Sequence, residues 1–425
     1  MTERYWIETL GCPKNQVDSD KLVGTMVAEG MVAAERPEDA DVVVVNTCAF
    51  VEQARQESID TILGLDGVRA PGARLVVTGC MAERYGAELA DALPEVDAVA
   101  GFGVPVTLGR TRVVTGDRAT AVPTFDLLNL PRPRSAAPWA YVKVAEGCDR
   151  ACGFCAIPTF RGKQRSRSID DVLAEVESIE AREIVLVAQD LAAYGRDQGV
   201  GERSIVPLVR RVDAMVDRVR LLYLYPSDLT DELVDTICAT EVPYFDLSLQ
   251  HVSAPLLRRM RRWGDGERFA RRMADIRALR PDAVFRSNFI VGYPGETEED
   301  HDRLLDFVAE AGLDWCGFFA FSAEEGTHAA TLDGVVPDDL VAERLAELGE
   351  LQDAITAAKR DEMIGSRVEV LVDSIGRART WREAPEIDGV VVVPDDLEVG
   401  SMATVDVVAA LGPDLLAAGA EWSDR

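Results

Sequence analysis

Four valines in a row, Val42 to Val45, stand between Asp41 and Asn46. Apolar at every position rather than every second one, such a run suits a strand buried on both faces of a parallel sheet. Residues 74–78 repeat the signal, and 5–9 give a shorter version. Behind each strand, apolar positions recur at helical spacing over 17–29, 51–63 and 82–93. The first third of the chain therefore reads as repeated strand–helix units.

Residues 121–135 break the pattern. Val122-Pro123-Thr124 and Leu130-Pro131-Arg132-Pro133-Arg134-Ser135 are Pro-rich and carry no period, as a linker does. Beyond it, strands are predicted at 140–144, 184–188, 220–225, 244–249, 284–291 and 315–321. Helical patterns intervene at 169–181, 205–216, 231–239, 268–279 and 298–310. Six strands alternating with helices predict a parallel (βα)6 partial barrel. Eight would close a full one; six leave a lateral opening for a large substrate. Residues at strand carboxyl ends face the site in such folds, here Gln189-Asp190, Tyr225-Pro226, Gln250-His251 and Gly292-Tyr293-Pro294-Gly295-Glu296. A helical run over 338–363 leads out. Short β-type runs follow at 367–373, 378–382, 389–393 and 402–408, and predict a small antiparallel β-barrel. The fold class is α/β, with an N-terminal parallel-sheet domain over 1–120, a linker over 121–135, a partial-barrel core over 136–365 and the small barrel over 366–425.

Cysteines fall at telling places in this frame. Cys148, Cys152 and Cys155 form C-x3-C-x2-C directly off the carboxyl end of the first core strand. Three thiolates on one loop can hold three corners of an iron–sulfur cube and leave the fourth iron open. The competing reading is a zinc site needing one His, but His251, His301 and His328 are all distant in sequence. Cys12, Cys48 and Cys80 follow the first three strands, with gaps of 36 and 32 residues. In open α/β sheets, ligand sites gather outside the carboxyl ends of strands, so three loops would bring these thiols together. The bland alternative is three packed core thiols, the reading also given to Cys238 and Cys316.

Composition narrows the function. At 425 residues the chain is long enough for two to four domains. No apolar run reaches the roughly 18 residues of a membrane span, and the first residues lack a secretory apolar core, so a cytoplasmic location is expected. In that compartment eight cysteines suggest metal binding before disulfides. The net charge of −29 disfavours a nucleic-acid partner and steers toward a basic one. The Arg-rich stretch 258–280 reads as a solvated helix face, with a ribosomal RNA contact as the competing reading.

The C-x3-C-x2-C spacing resembles that of radical S-adenosylmethionine (SAM) enzymes. Taken with the N-terminal cysteines and the C-terminal barrel, the whole chain resembles the methylthiotransferases of that superfamily. Gly11-Cys12-Pro13-Lys14-Asn15, Asn46-Thr47-Cys48-Ala49-Phe50 with Glu57-Ser58-Ile59-Asp60-Thr61-Ile62, Thr78-Gly79-Cys80-Met81-Ala82-Glu83-Arg84-Tyr85, Gln250-His251 and Ala384-Pro385-Glu386-Ile387-Asp388-Gly389 resemble the RimO branch. Ala49 and Ser248 depart from its pattern without removing a ligand.

The resemblance implies an OB-like TRAM barrel at the C-terminus and an enzyme of the alkylthio-transferring class. It implies methylthiolation of the β-carbon of an aspartate in the small-subunit ribosomal protein numbered twelve. Cofactors would be two [4Fe–4S] clusters and SAM, with two SAM molecules used per turnover. Cys148, Cys152 and Cys155 would ligate the radical-generating cluster; Cys12, Cys48 and Cys80 would ligate an auxiliary one that carries the sulfur. Phe154, Gln189 and Arg286 are candidate contacts to SAM or the substrate carboxylate. Plain core packing for Phe154 and structural hydrogen bonding for Gln189 are the competing readings. Implied partners are a basic ribosomal protein as substrate, an electron donor such as flavodoxin or ferredoxin, and a ribosome contact; no membrane is involved. Two alternatives stand beside this reading. One is the branch that modifies a tRNA adenosine, against which the small barrel's 5 basic and 12 acidic residues speak. The other is a non-catalytic iron–sulfur electron carrier.

Overall fold

Every strand pair in the N-terminal sheet is parallel. The computed structural model describes residues 2–106, 113–114, 125–199 and 205–422. Strand β1 (Arg4–Thr9) leads through α1 (Pro13–Ala28) to β2 (Val32–Ala33) and β3 (Val42–Thr47). Next come α2 (Glu52–Val68), β4 (Arg74–Gly79), α3 (Cys80–Ala92), β5 (Ala98–Ala100) and β6 (Val113–Val114). The sheet order is β2-β1-β3-β4-β5-β6. All of β3 is buried. Val43, Val45, Leu75 and Val77 pack with Ile62 and Leu89, while Val42, Val44 and Val76 pack with Leu22 and Met26. Both faces of the sheet are covered, which is why these strands do not alternate in sequence. Periodicity predicts three of the six strands. The other three have two or three residues each, too few to declare a period.

The chain folds as two compact units. The first comprises Met1–Arg134, Lys143–Arg150 and Cys155–Glu175, the second Ser135–Val142, Ala151–Phe154 and Val176–Arg425. Of the predicted linker, residues 121–124 lie outside the described ones. After β7 (Trp139–Lys143), the first unit gains a two-stranded ladder of β8 (Ala145–Glu146) with β9 (Arg165–Ser166), interrupted by α4 (Ile157–Phe160) and followed by the start of α5 (Ile169–Ile179). Ala156 and Phe160 pack into the same core as Cys80 and Met81.

In the second unit, β10 (Glu183–Val187), α6 (Ile205–Asp213), β11 (Arg218–Leu221), α7 (Asp231–Ala239) and β12 (Tyr244–Gln250) alternate. They continue as α8 (Ala254–Arg259), α9 (Gly266–Leu279), β13 (Val284–Val291), α10 (Glu298–Ala311) and β14 (Trp315–Ala320). The ladders β11-β10-β7 and β12-β13-β14 are joined by a parallel bridge from Leu224 to Leu247. The six predicted core strands thus form one arc whose ends are β7 and β14. Helix α11 (Asp338–Asp361) connects to β15 (Arg367–Ser374), β16 (Arg377–Arg379), β17 (Val391–Val392), β18 (Met402–Leu411) and β19 (Asp414–Ala417).

These last five strands close a barrel in the order β15-β16-β17-β19-β18. The sequence predicts four strands and an antiparallel barrel. The structure adds β19, which pairs parallel to β17 and antiparallel to β18. This barrel meets the amino ends of the core strands. Glu183, first in β10, pairs with Arg379 at 2.9 Å. The Tyr244 hydroxyl, first in β12, donates to Asp388 at 2.6 Å. The Trp315 indole N–H, first in β14, donates to the Arg382 carbonyl at 2.8 Å. The opposite, carboxyl ends of the strands are left for the site.

Candidate functional site

Cys12, Cys48 and Cys80 follow β1, β3 and β4, which are adjacent in the sheet. Register pairs Thr9 with Asn46 and Thr47 with Gly79, so the three chains leave the same edge side by side. Cys12 caps α1, its carbonyl accepting from the N–H groups of Asn15 and Gln16. Cys80 is the first residue of α3. Helix amino ends favour a thiolate. Gly79 makes the turn into Cys80 with φ +92°, and a Cβ there would stand 2.6 Å from Thr47 N and O.

Side chains between these loops fix the thiols. The Asn15 amide donates to the carbonyls of Leu10 (2.8 Å) and Thr47 (3.1 Å). The Cys48 N–H donates to Ser58 Oγ at 3.2 Å, and that hydroxyl lies the same distance from the Cys48 carbonyl. Arg161, buried, donates from Nη2 to Cys80 Sγ at 3.1 Å and to Asn15 Oδ1 at 2.9 Å. Its Nη1 donates to both Glu146 oxygens at 2.9 and 3.0 Å, and Asp18 lies 3.4 Å away. The guanidinium stacks on Phe102 at 4.4 Å. Lys143 also pairs with Asp18 and Glu146, so two cations serve two carboxylates. Burial opposes ionisation of Glu146, yet Arg161 and Lys143 hold its carboxyl well below the usual range.

Electrostatics separate the three thiols. Burial pushes Cys48 up to about 12, with the neighbouring Cys80 adding to it. Burial also raises Cys80, against Arg161. For Cys12 burial is outweighed by Lys14 and Arg161, and the thiol falls below its ordinary value. Cys12 bears on both of the other thiols, raising Cys48 and Cys80 alike.

On the C-x3-C-x2-C loop, Gly147 precedes Cys148 with φ +74°, and a Cβ there would collide with the Lys163 carbonyl. Cys148 is buried; its N–H donates to the Gly162 carbonyl at 3.1 Å, and its Sγ accepts from the Arg150 N–H at 3.4 Å. Arg262 donates to Cys152 Sγ at 3.2 Å while stacked on Tyr225 at 4.2 Å. Gly153 is clamped by backbone bonds to Met260 and Ala329. Cys155 is half-buried.

Other predicted residues lie at several heights of the core. Phe154 is half-buried within the loop. Gln189 follows the carboxyl end of β10. Arg286 lies near the amino end of β13, bonded to Asp246 at 3.0 Å and paired with Asp388 at 3.5 Å. The Gly292–Glu296 turn closes on itself: Glu296 accepts from the N–H groups of Gly292 (2.7 Å) and Tyr293 (3.2 Å) and pairs with Arg344. His251 is buried and accepts at Nδ1 from the Ser253 N–H; burial pulls it down to about 4. Asn15, Ser58, Arg161 and Arg262 escape prediction from sequence. A signal existed for Arg161, a charge set between Phe160 and Gly162 just after the cysteine loop.

The donor sets suit iron–sulfur clusters. Thiolate sulfur is the soft ligand that such clusters take, and each loop offers it from buried or half-buried cysteines. Among the described residues, no group of three or more His, Cys, Asp or Glu could hold a single metal ion. A cube asks for less convergence, since each thiolate takes its own iron.

Comparison with known proteins agrees. The uncharacterized protein family UPF0004 matches residues 4–101, the Radical SAM superfamily 142–308 and the TRAM domain 364–419. The ribosomal protein uS12 methylthiotransferase RimO of Moorella thermoacetica is 44% identical over 416 residues, covering 95% of this chain and 96% of that one. Proteins of the same name from Frankia casuarinae and Nocardioides sp. are each 41% identical, covering 97% and 96% of this chain and 92% and 95% of theirs. With cysteine loops, core arc and terminal barrel all inside that end-to-end similarity, the chain belongs to the RimO family of radical-SAM methylthiotransferases.

Proposed function

We propose that this enzyme adds a methylthio group to the β-carbon of an aspartate in ribosomal protein uS12, the substrate carried in its relatives' names. Its cofactors are [4Fe–4S] clusters and SAM. In this reading Cys148, Cys152 and Cys155 hold one cluster, and Cys12, Cys48 and Cys80 hold the other. Bound there, these groups supply one-electron chemistry able to take hydrogen from an unactivated carbon and to deliver sulfur. The chain's own part is positioning and exclusion of water. Asn15, Ser58 and Arg161 brace the N-terminal thiols, and Gly153 pins the second loop to the core. We assign Phe154 and Gln189 to SAM. Arg286, committed to Asp246 and Asp388, we assign to seating the terminal barrel. The domain division at 1–120, 136–365 and 366–425, joined by 121–135, serves as the working map.

What supports this reading is that Cys12, Cys48 and Cys80 follow three adjacent strands at one sheet edge in a chain that also bears the C-x3-C-x2-C loop. The net charge of −29 suits a basic ribosomal protein. We further propose a cytoplasmic location and a small redox protein such as flavodoxin or ferredoxin as electron donor; no helix among the described residues is long and apolar enough to cross a membrane. The test is anaerobic reconstitution with iron, sulfide, SAM and a reductant, and uS12 as substrate. A mass gain of one methylthio group in place of hydrogen on one aspartate is expected. Thiomethylated tRNA adenosine with unmodified uS12 would overturn the assignment.

A further inference from the structure

Arg161 stands six residues beyond Cys155 in sequence, yet its guanidinium touches Cys80. A buried cation beside Asp18 and Glu146 needs no sulfur partner for charge balance, because Lys143 already shares both carboxylates. The two ends of the fork are used differently. Both Nη atoms lie 3.4 Å from Asp18; beyond that, Nη1 serves Glu146, while Nη2 serves the neutral Asn15 oxygen and Cys80 Sγ. Phe102 stacked beneath fixes the plane, so the direction of the N–H toward sulfur is fixed as well. Arginine stays protonated in proteins, and its donation to sulfur therefore persists in every redox state.

We propose that Arg161 is a positioning residue for the N-terminal cysteine triad: its guanidinium holds Cys80 Sγ and, through that sulfur, raises the reduction potential of the cluster bound there. The proposal rests on the reading that Cys12, Cys48 and Cys80 ligate a cluster. Hydrogen bonds to ligand sulfur withdraw charge from it and favour the reduced cluster, and they are among the levers that set such potentials. Lysine at this position keeps the charge but loses the planar fork that reaches Glu146, Asn15 and Cys80 together. A purely charge-balancing Arg161 would tolerate that change; a sulfur-bonding one does not.

The full-length chain with Cys148, Cys152 and Cys155 all changed to Ala keeps one candidate cluster. Reconstituted anaerobically, it is compared with the same protein carrying Arg161→Lys, by iron content, circular dichroism and a redox titration followed by electron paramagnetic resonance. A shift of the midpoint to more negative potential, with altered g-values, is expected. Loss of iron from a folded Arg161→Lys protein also supports the role, since Cys80 is then no longer held for its iron. An unchanged midpoint at full iron content overturns it. Should Arg161→Lys not fold, the parent protein grown with 15N-arginine decides. Pulsed hyperfine spectroscopy then finds a weak 15N coupling to the reduced cluster, or its absence overturns the proposal. Iron missing from the parent would instead remove the cluster reading beneath it, a distinct failure that the iron assay identifies.

Discussion

Single residues fix the loops that carry the cysteines. Gly79 is the sharpest case, because a methyl group there meets both a left-handed backbone and the Thr47 peptide. Strain of about 1–3 kcal/mol is expected from the dihedral, with about 1–3 kcal/mol more from the overlap. Gly79→Ala should therefore lower the first thermal transition and the iron bound per chain, both measurable on reconstituted protein. The two triads also make separable predictions. Cys148→Ala should abolish release of 5′-deoxyadenosine from SAM. Cys48→Ala should leave that release within about twofold while stopping methylthio product, a fold-change smaller than the tenfold that about 1.4 kcal/mol of barrier would give. Chromatography of SAM products alongside mass spectrometry of uS12 checks both, and methylthio product from Cys48→Ala would sink the division of labour.

Among elements, α10 shows how a short motif holds a helix and a loop together. Thr297 Oγ1 accepts from the Asp300 N–H at 3.2 Å, and the Asp300 carboxylate accepts from the Thr297 N–H at 3.0 Å and its hydroxyl at 2.8 Å. The same carboxylate accepts from the Ser253 hydroxyl, which ties α10 to the turn after His251. Partial burial opposes ionisation of Asp300, but the bonds from Ser253 and Thr297 outweigh it, and the carboxyl falls below its ordinary value. Its stabilising contribution is therefore present above the usual carboxylate range and is lost as pH falls through the lowered value. Thr297→Ala should cost about 1 kcal/mol and increase hydrogen exchange in the first turn of α10. Asp300→Asn should do the same and also flatten the acid dependence of that exchange.

At the scale of the whole molecule, the terminal barrel is seated on the amino ends of the core strands through buried charge. Glu183 is buried between Arg220 at 2.7 Å and Arg379 at 2.9 Å. Burial alone would raise its carboxyl; Arg379 and Arg220 instead bring it down to about 2. A depressed carboxylate stabilises the fold above its unfolded value, and that contribution drains away as pH falls from about 4.5 toward 2. Glu183→Gln would take the counter-charge from the buried Arg220 while Arg379 keeps Asp373, at a cost of roughly 3–5 kcal/mol at neutral pH. Acid titrations followed by circular dichroism should then lose the part of the unfolding limb that Glu183 supplies, and proteolysis should release the barrel more readily at pH 7.

Local pattern was enough for the principal elements. Valine runs declare buried strands because both faces of the N-terminal sheet are covered, and the core strands at 244–250 and 284–291 lie within a residue or two of their predicted bounds. The cysteine spacings are likewise written in one dimension. What periodicity does not encode is which distant residues share a place. Asn15 meets Arg161, and Glu183 meets Arg379, only because strand order and chain path bring them together. Strand β19 is four residues long, and its parallel partner depends on where β17 already lies. Arg286 shows the same limit: a strand position predicts an inward charge, but the Asp388 that receives it comes from the terminal barrel. Sequence thus determined the kinds of elements and the strand ends at which the thiols stand, since these follow from neighbours along the chain. Tertiary structure alone decided the polar groups that hold those thiols, since buried charges must find partners wherever the fold supplies them.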